Sequence, residues 1–170
     1  MAAALLLMAG CSGDATDDDG PTNAADVTFA QQMILHHQQE LKLTALAEER
    51  TRDDAVRRLA DDISATQRAE VELLSGWLEE WGEDLPQESD YADGKLPGML
   101  TAGEMDGLAQ ARGEVWRELF LTYLIEHHRG AIEIAADEEA NGKHAGALRL
   151  AAEIQATQQA EIQRIEDLLG

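Results

Sequence analysis

The sequence is short of cysteine, proline, aromatic side chains and positive charge, and each shortage excludes something. A single cysteine, Cys11, allows no disulfide and no thiolate metal cluster within the chain. Three prolines, Pro21, Pro86 and Pro97, leave the stretches 22–85 and 98–170 free for long helices. Lys and Arg number only 13 against 34 Asp and Glu, a formal charge of −21 over 170 residues. That field repels phosphate, so nucleic-acid binding is excluded, and an anionic lipid surface is repelled as well. Membrane attachment therefore has to rest on something other than charge. What remains is dominated by Ala, Leu and Glu, all strong helix formers, in a chain long enough for one domain with a real core. An all-α fold is expected.

The N-terminal run AAALLLMAG ends at Cys11. It is too short to span a bilayer as a mature helix but fits the end of a secretory signal. Leu7-Met8-Ala9-Gly10-Cys11 resembles a bacterial lipobox, in which small residues permit cleavage and the cysteine is lipidated. Residues 1–11 are thus expected to be a lipoprotein signal, placing the protein in the cell envelope, outside the cytoplasm and held to the membrane through Cys11. Residues 12–25 are acidic and cannot bury enough apolar area to fold, so they read as a flexible tether. The acidic stretch of about 82–101 reads as a solvated linker.

Sliding the chain against itself by 91 residues reveals a repeat. Residues 29–48 lie over 120–139, with Phe29/Phe120, Ile34/Ile125, His36/His127, His37/His128, Ala45/Ala136 and Glu48/Glu139 identical. Residues 59–74 lie over 150–165 with eight of sixteen positions identical. Each unit reads as two helices, about 26–50 with 53–81 and about 113–140 with 144–169. Thr51 with Asp54 offers a capping pair between the first two, and Asn141-Gly142 is the natural stop of the third. Thr101 and Glu104 form a capping box that starts a short helix near 102–111. The chain 26–170 is expected to be a four-helix bundle of two helical hairpins, with repeat one at 26–81, a linker at 82–112 and repeat two at 113–169.

Helical neighbours three and four positions away set the surroundings of each residue. Those of His37 (Met33, Ile34, Glu40, Leu41) and His128 (Leu124, Ile125, Ala131, Ile132) are mostly apolar, so both should point into the core. His36 has Gln32, Met33, Gln39 and Glu40, so His36 and His127 should sit at the helix edge, within reach of water. On the second helices Gln67 and Glu70, repeated as Gln158 and Glu161, fall on core-type heptad positions. Buried polar groups are costly unless paired, so these residues should meet one another or an ion. Two readings stay open. One is a structural network in which His37 bonds Glu161 and His128 bonds Glu70. The other is a transition-metal site, since imidazole suits copper or zinc and carboxylates complete the shell. Its candidate ligands are His37, His128, Glu70 and Glu161, with His36, His127 and Met33 beside them.

Catalysis is not expected. No histidine has a Glu three residues before it, as a di-iron helix pair requires, and no nucleophile constellation exists.

The paired Met33-Ile34-x-His36-His37 and Leu124-Ile125-x-His127-His128 helices resemble the signature of a bacterial envelope family, the domain of unknown function 305. The segment Leu96-Pro97-Gly98-Met99-Leu100-Thr101, continuing into Glu104-Met105, resembles that family's Met-Pro-Gly-Met-Met-Thr stretch. The resemblance covers about 26–169. It implies a ferritin-like bundle, usually exported, with no established activity. It also implies a link to copper in Met-rich relatives, where thioethers suit Cu(I). Here Leu43, Leu124 and Ile134 stand at positions where those relatives favour Met, which leaves a His/Glu site suited to Cu(II) or zinc. No protein partner can be named from the residues.

Overall fold

The computed structural model describes residues 21–87 and 96–170. The signal with Cys11, the tether up to residue 20 and linker residues 88–95 lie outside the described residues. The protein is all-helical: α1 Ala24–Arg50, α2 Asp54–Trp81, α3 Ala102–Gln110, α4 Gly113–Asn141 and α5 Ala145–Leu169. Among the described residues there is no strand, and no helix is long and apolar enough to cross a membrane.

The helix ends follow from local chemistry. Asn23 caps α1 by accepting from the backbone N–H of Ala25 and Asp26, and Asp26 returns a bond from its carboxylate to the Asn23 N–H. The helix therefore starts at Ala24, inside what reads in sequence as tether. The expected Thr51/Asp54 pair is shifted: Asp53 is the cap of α2, accepting from Ala55 and Val56, while Thr51 Oγ1 accepts from the Asp53 N–H. Asp53 holds the extended backbone a cap needs, whereas Asp54 is already helical. Thr101 and Glu104 form the full capping box of α3. Helix α4 ends at Asn141 as expected. Gly142 there is extended rather than left-handed, and a side chain at Gly142 would strike the carboxylate of Glu138 at 2.2 Å.

The short α1–α2 and α4–α5 connections produce two hairpins, joined chiefly where α1 packs on α4. The apolar side chains fall into two clusters. One gathers Leu43, Ala47, Val56, Leu59, Ile63, Trp116, Phe120, Leu124, Ile162 and Ile165. The other gathers Phe29, Met33, Ile34, Leu74, Leu78, Ala131, Ile134, Leu150 and Ile154. In every long helix the polar positions lie between its contributions to the two clusters: 36–40 in α1, 67–70 in α2, 127–128 in α4 and 158–161 in α5. A polar layer is thereby sealed between two apolar ones.

Candidate metal centre

The layer is drier than the helical pattern implies. His36, His37, His127 and His128 are all fully buried, as is Glu40. The expectation that His36 and His127 reach water is therefore wrong. Their flank is turned into the contact between α1 and α4, where the two imidazole rings lie with centroids 3.8 Å apart. The segment 96–100 then covers His36 from outside the hairpins, placing Pro97 O 3.1 Å from His36 Nε2.

The residue that organises the layer is Glu40. Its Oε2 is 3.1 Å from His127 Nδ1 and also accepts from the Gln67 amide. Its Oε1 is 3.0 Å from His128 Nδ1, an ion-pair distance without hydrogen-bond alignment. Burial pushes the Glu40 carboxyl up, but His128 and His127, with the bonds they make, outweigh it and hold the group well below the usual carboxylate range. Glu40 is thus an anion, and His127 must carry its proton on Nδ1 to face it.

His128 stands between two carboxylates, with Nε2 2.8 Å from Glu161 Oε2 as well. Burial opposes its charge, yet Glu40 and Glu161 prevail and push the imidazole up to about 10. It is an imidazolium at neutral pH and offers no lone pair. His37 Nε2 lies 2.7 Å from Glu70 Oε2, again without hydrogen-bond alignment. Both His–Glu pairs form within a repeat. The cross-repeat pairing of His37 with Glu161 and His128 with Glu70 does not occur, because α2 packs on α1 and α5 on α4.

His36 behaves oppositely to His128. Burial, reinforced by neighbouring His127 and His37, holds its imidazole well below the ordinary value, so it is neutral. A carbonyl only accepts, so the proton facing Pro97 O sits on His36 Nε2. His36 Nδ1 is then a bare lone pair, and both it and His127 Nε2 are buried without a partner. His36, Glu40 and His127 form a set in which each can offer one ligand atom such that the three lie within 4.8 Å of one another. Among the described residues it is the single such set of three.

The structure therefore brings together His36, Glu40 and His127 as potential ligands. His37 and His128 stand behind them, bound to the partly exposed Glu70 and Glu161. Met33 lies in the apolar cluster one helical turn before His36. Glu40 was missed as a site residue because it has no counterpart in the repeat: position 131 is Ala. Gln67 and its counterpart Gln158 both keep a buried Oε1 with no partner. The signal was present, since Glu40 follows His36 by four and His37 by three residues, but it was read as a polar flank.

Comparison with known proteins gives a consistent picture. The model of the family Domain of unknown function (DUF305) matches residues 26–169. The crystal structure of a DUF305 protein from Streptomyces coelicolor, described as secreted, is 35% identical with a TM-score of 0.78, covering 85% of this chain and 91% of that one. A DUF305 fragment from Deinococcus radiodurans is 32% identical with a TM-score of 0.79, covering 89% and 99%. CopM in its Cu(I)-bound form is 22% identical with a TM-score of 0.69, covering 84% and 94%, a likeness of fold. CopM structures with Cu(II) and with silver superpose similarly. No curated protein matches the chain.

Proposed function

The chain belongs to the DUF305 family, and we propose that in this member the buried polar layer holds a transition metal, copper or zinc, for binding or handling rather than for catalysis. The observation that carries this reading is that His36, Glu40 and His127, all fully buried, can bring one ligand atom each within 4.8 Å of one another, while His36 Nδ1 and His127 Nε2 have no partner. A buried acceptor without a partner costs about 1–3 kcal/mol, and a ligated cation removes that cost at both nitrogens. Imidazole nitrogens and a carboxylate are a donor set that suits Cu(II) or Zn. The bound ion would supply charge to the layer and be held in a dry pocket. That CopM is seen with copper and silver supports the class of ligand.

The two hairpins are read as a ferritin-like four-helix bundle. The anchor is read as a lipidated Cys11 outside the cytoplasm, supported by the lipobox-like run and by the secreted relative from Streptomyces. No catalytic residue is assigned, since Glu40 and the histidines are engaged with one another rather than with a substrate cleft.

A second reading, a purely structural network, is favoured by one observation: His128 lies 3.0 Å from Glu40 and 2.8 Å from Glu161, its charge balanced by two carboxylates with no ion needed. Thermal unfolding with metals separates the two. Cu(II) or Zn should raise the melting temperature of the wild-type chain by binding the folded state only. His36→Gln/His127→Gln should abolish the rise, while His144→Ala should keep it. Calcium and magnesium control for weak capture by the acidic surface, because hard cations prefer oxygen ligands. Equal stabilisation of the double variant would leave the structural network standing.

A further inference from the structure

The segment 96–100 does more than cover the site. Gln39 grips it at two points, donating from Nε2 to Leu100 O at 2.9 Å and accepting from the Leu100 N–H at 2.8 Å. Leu96 and Leu100 are buried and pin its two ends. Between them the backbone lies directly on α4. A Cβ at Gly130 would come within 2.0 Å of Pro97 O, and one at Gly98 within 2.5 Å of Glu126 O. Gly98 also has φ 71, a conformation other side chains rarely adopt. Such closeness puts the Pro97 carbonyl on His36 Nε2.

We infer that Gln39 and Gly130 are positioning residues for the metal centre: by holding the Pro97 carbonyl on His36 Nε2, they fix the ring orientation and the tautomer, so that Nδ1 is the nitrogen offered to the ion. A free neutral imidazole can place its proton on either nitrogen and can turn its ring. A carbonyl fixed on Nε2 removes both freedoms, as outer partners of metal-bound histidines do. The metal arm of this inference rests on the reading proposed above. The tautomer arm does not.

The test uses the full chain without metal, then with Cu(II). Nitrogen-15 NMR of the wild type should show His36 neutral, protonated at Nε2, with that proton protected from exchange. Gln39→Ala should keep the fold, because Gln39 is only half-buried, yet lose the protection as the segment loosens. Its Cu(II) affinity should fall roughly 10- to 100-fold, the usual loss for an outer-partner change. Gly130→Ala should act the same way by displacing Pro97. A wild-type proton on Nδ1 overturns the inference. So does a folded Gln39→Ala protein with both the protection and the Cu(II) affinity of the wild type. A wild type that binds no Cu(II) but shows the protected Nε2 proton, lost in Gln39→Ala, refutes the metal reading and leaves the positioning role standing.

Discussion

Glu40 and His128 face each other at 3.0 Å with both side chains fully buried, one on each hairpin. Each supports the charge of the other: burial pushes Glu40 towards its acid form and His128, with His127, outweighs it, while burial opposes the charge of His128 and Glu40, with Glu161, outweighs that. This pair fastens the hairpins at mid-height and fixes the carboxylate that lies beside His36 and His127.

Removing one side of that pair should be expensive. His128→Ala leaves a buried anion, and breaking a buried pair in this way costs about 3–5 kcal/mol. His36→Ala removes a single bond to a carbonyl and should cost about 0.5–1.5 kcal/mol. Urea unfolding of the two variants is the measurement. Equal losses would mean that Glu40 is not anchored through His128.

Glu40→Gln keeps the shape and one acceptor but removes the charge. It should cost about 3 kcal/mol, and it should also remove the stabilisation by Cu(II) or Zn that the wild type shows. Retention of the full metal-induced shift would take Glu40 out of the ligand set.

The far end of the hairpins carries a carboxyl pair with a pH signature. Asp26 accepts from the backbone N–H of Asn23, Lys143 and His144, at 2.6, 2.9 and 2.8 Å. Burial opposes its charge, but these bonds prevail and hold its carboxyl below the usual range. Glu138 is buried beside it and finds no donor, so the contact between the two acids needs the proton of Glu138. Burial and Asp26 push Glu138 from 4.5 up to about 8. Between those values the folded chain binds a proton that the unfolded chain lacks, so stability falls as pH rises through that window. The melting temperature should drop between pH 6 and pH 9. Glu138→Gln, whose amide donates without titrating, should flatten that decline; an identical slope in the variant would show that Asp137, Lys143 or His144 nearby is responsible instead.

Cys11→Ser tests the anchor. No helix of the described residues is long and apolar enough to cross a bilayer, so loss of the lipid should move the protein from the membrane fraction to the soluble one. Continued sedimentation with membranes, judged by immunoblot, would sink the lipoprotein reading.

The helices themselves were legible because their signals are local. Thr101 with Glu104 marks a helix start whatever packs around it, and the observed helices begin and end within about two residues of the expected positions. The four histidines were equally visible, since the repeat at 91 residues singles them out. Their inequality was only half legible. Neighbours at three and four positions describe one helix and its own face, so His37 and His128 were rightly placed inside. They say nothing of a second surface that arrives from elsewhere in the chain. His36 and His127 are buried because α1 meets α4 along that flank, and His36 because Pro97, 61 residues away, comes down on it.

Glu40 shows the same division most sharply. By itself the sequence determined an all-helical chain, its repeat, the burial of His37 and His128 and its acidic composition, because propensity, capping and periodicity act within a few residues. Which histidine is charged, which is neutral and which nitrogen stays bare was decided only in the tertiary structure. Those outcomes depend on distances of about 3 Å between side chains some 90 residues apart, where one carboxylate with no repeat partner sets the charge of the layer.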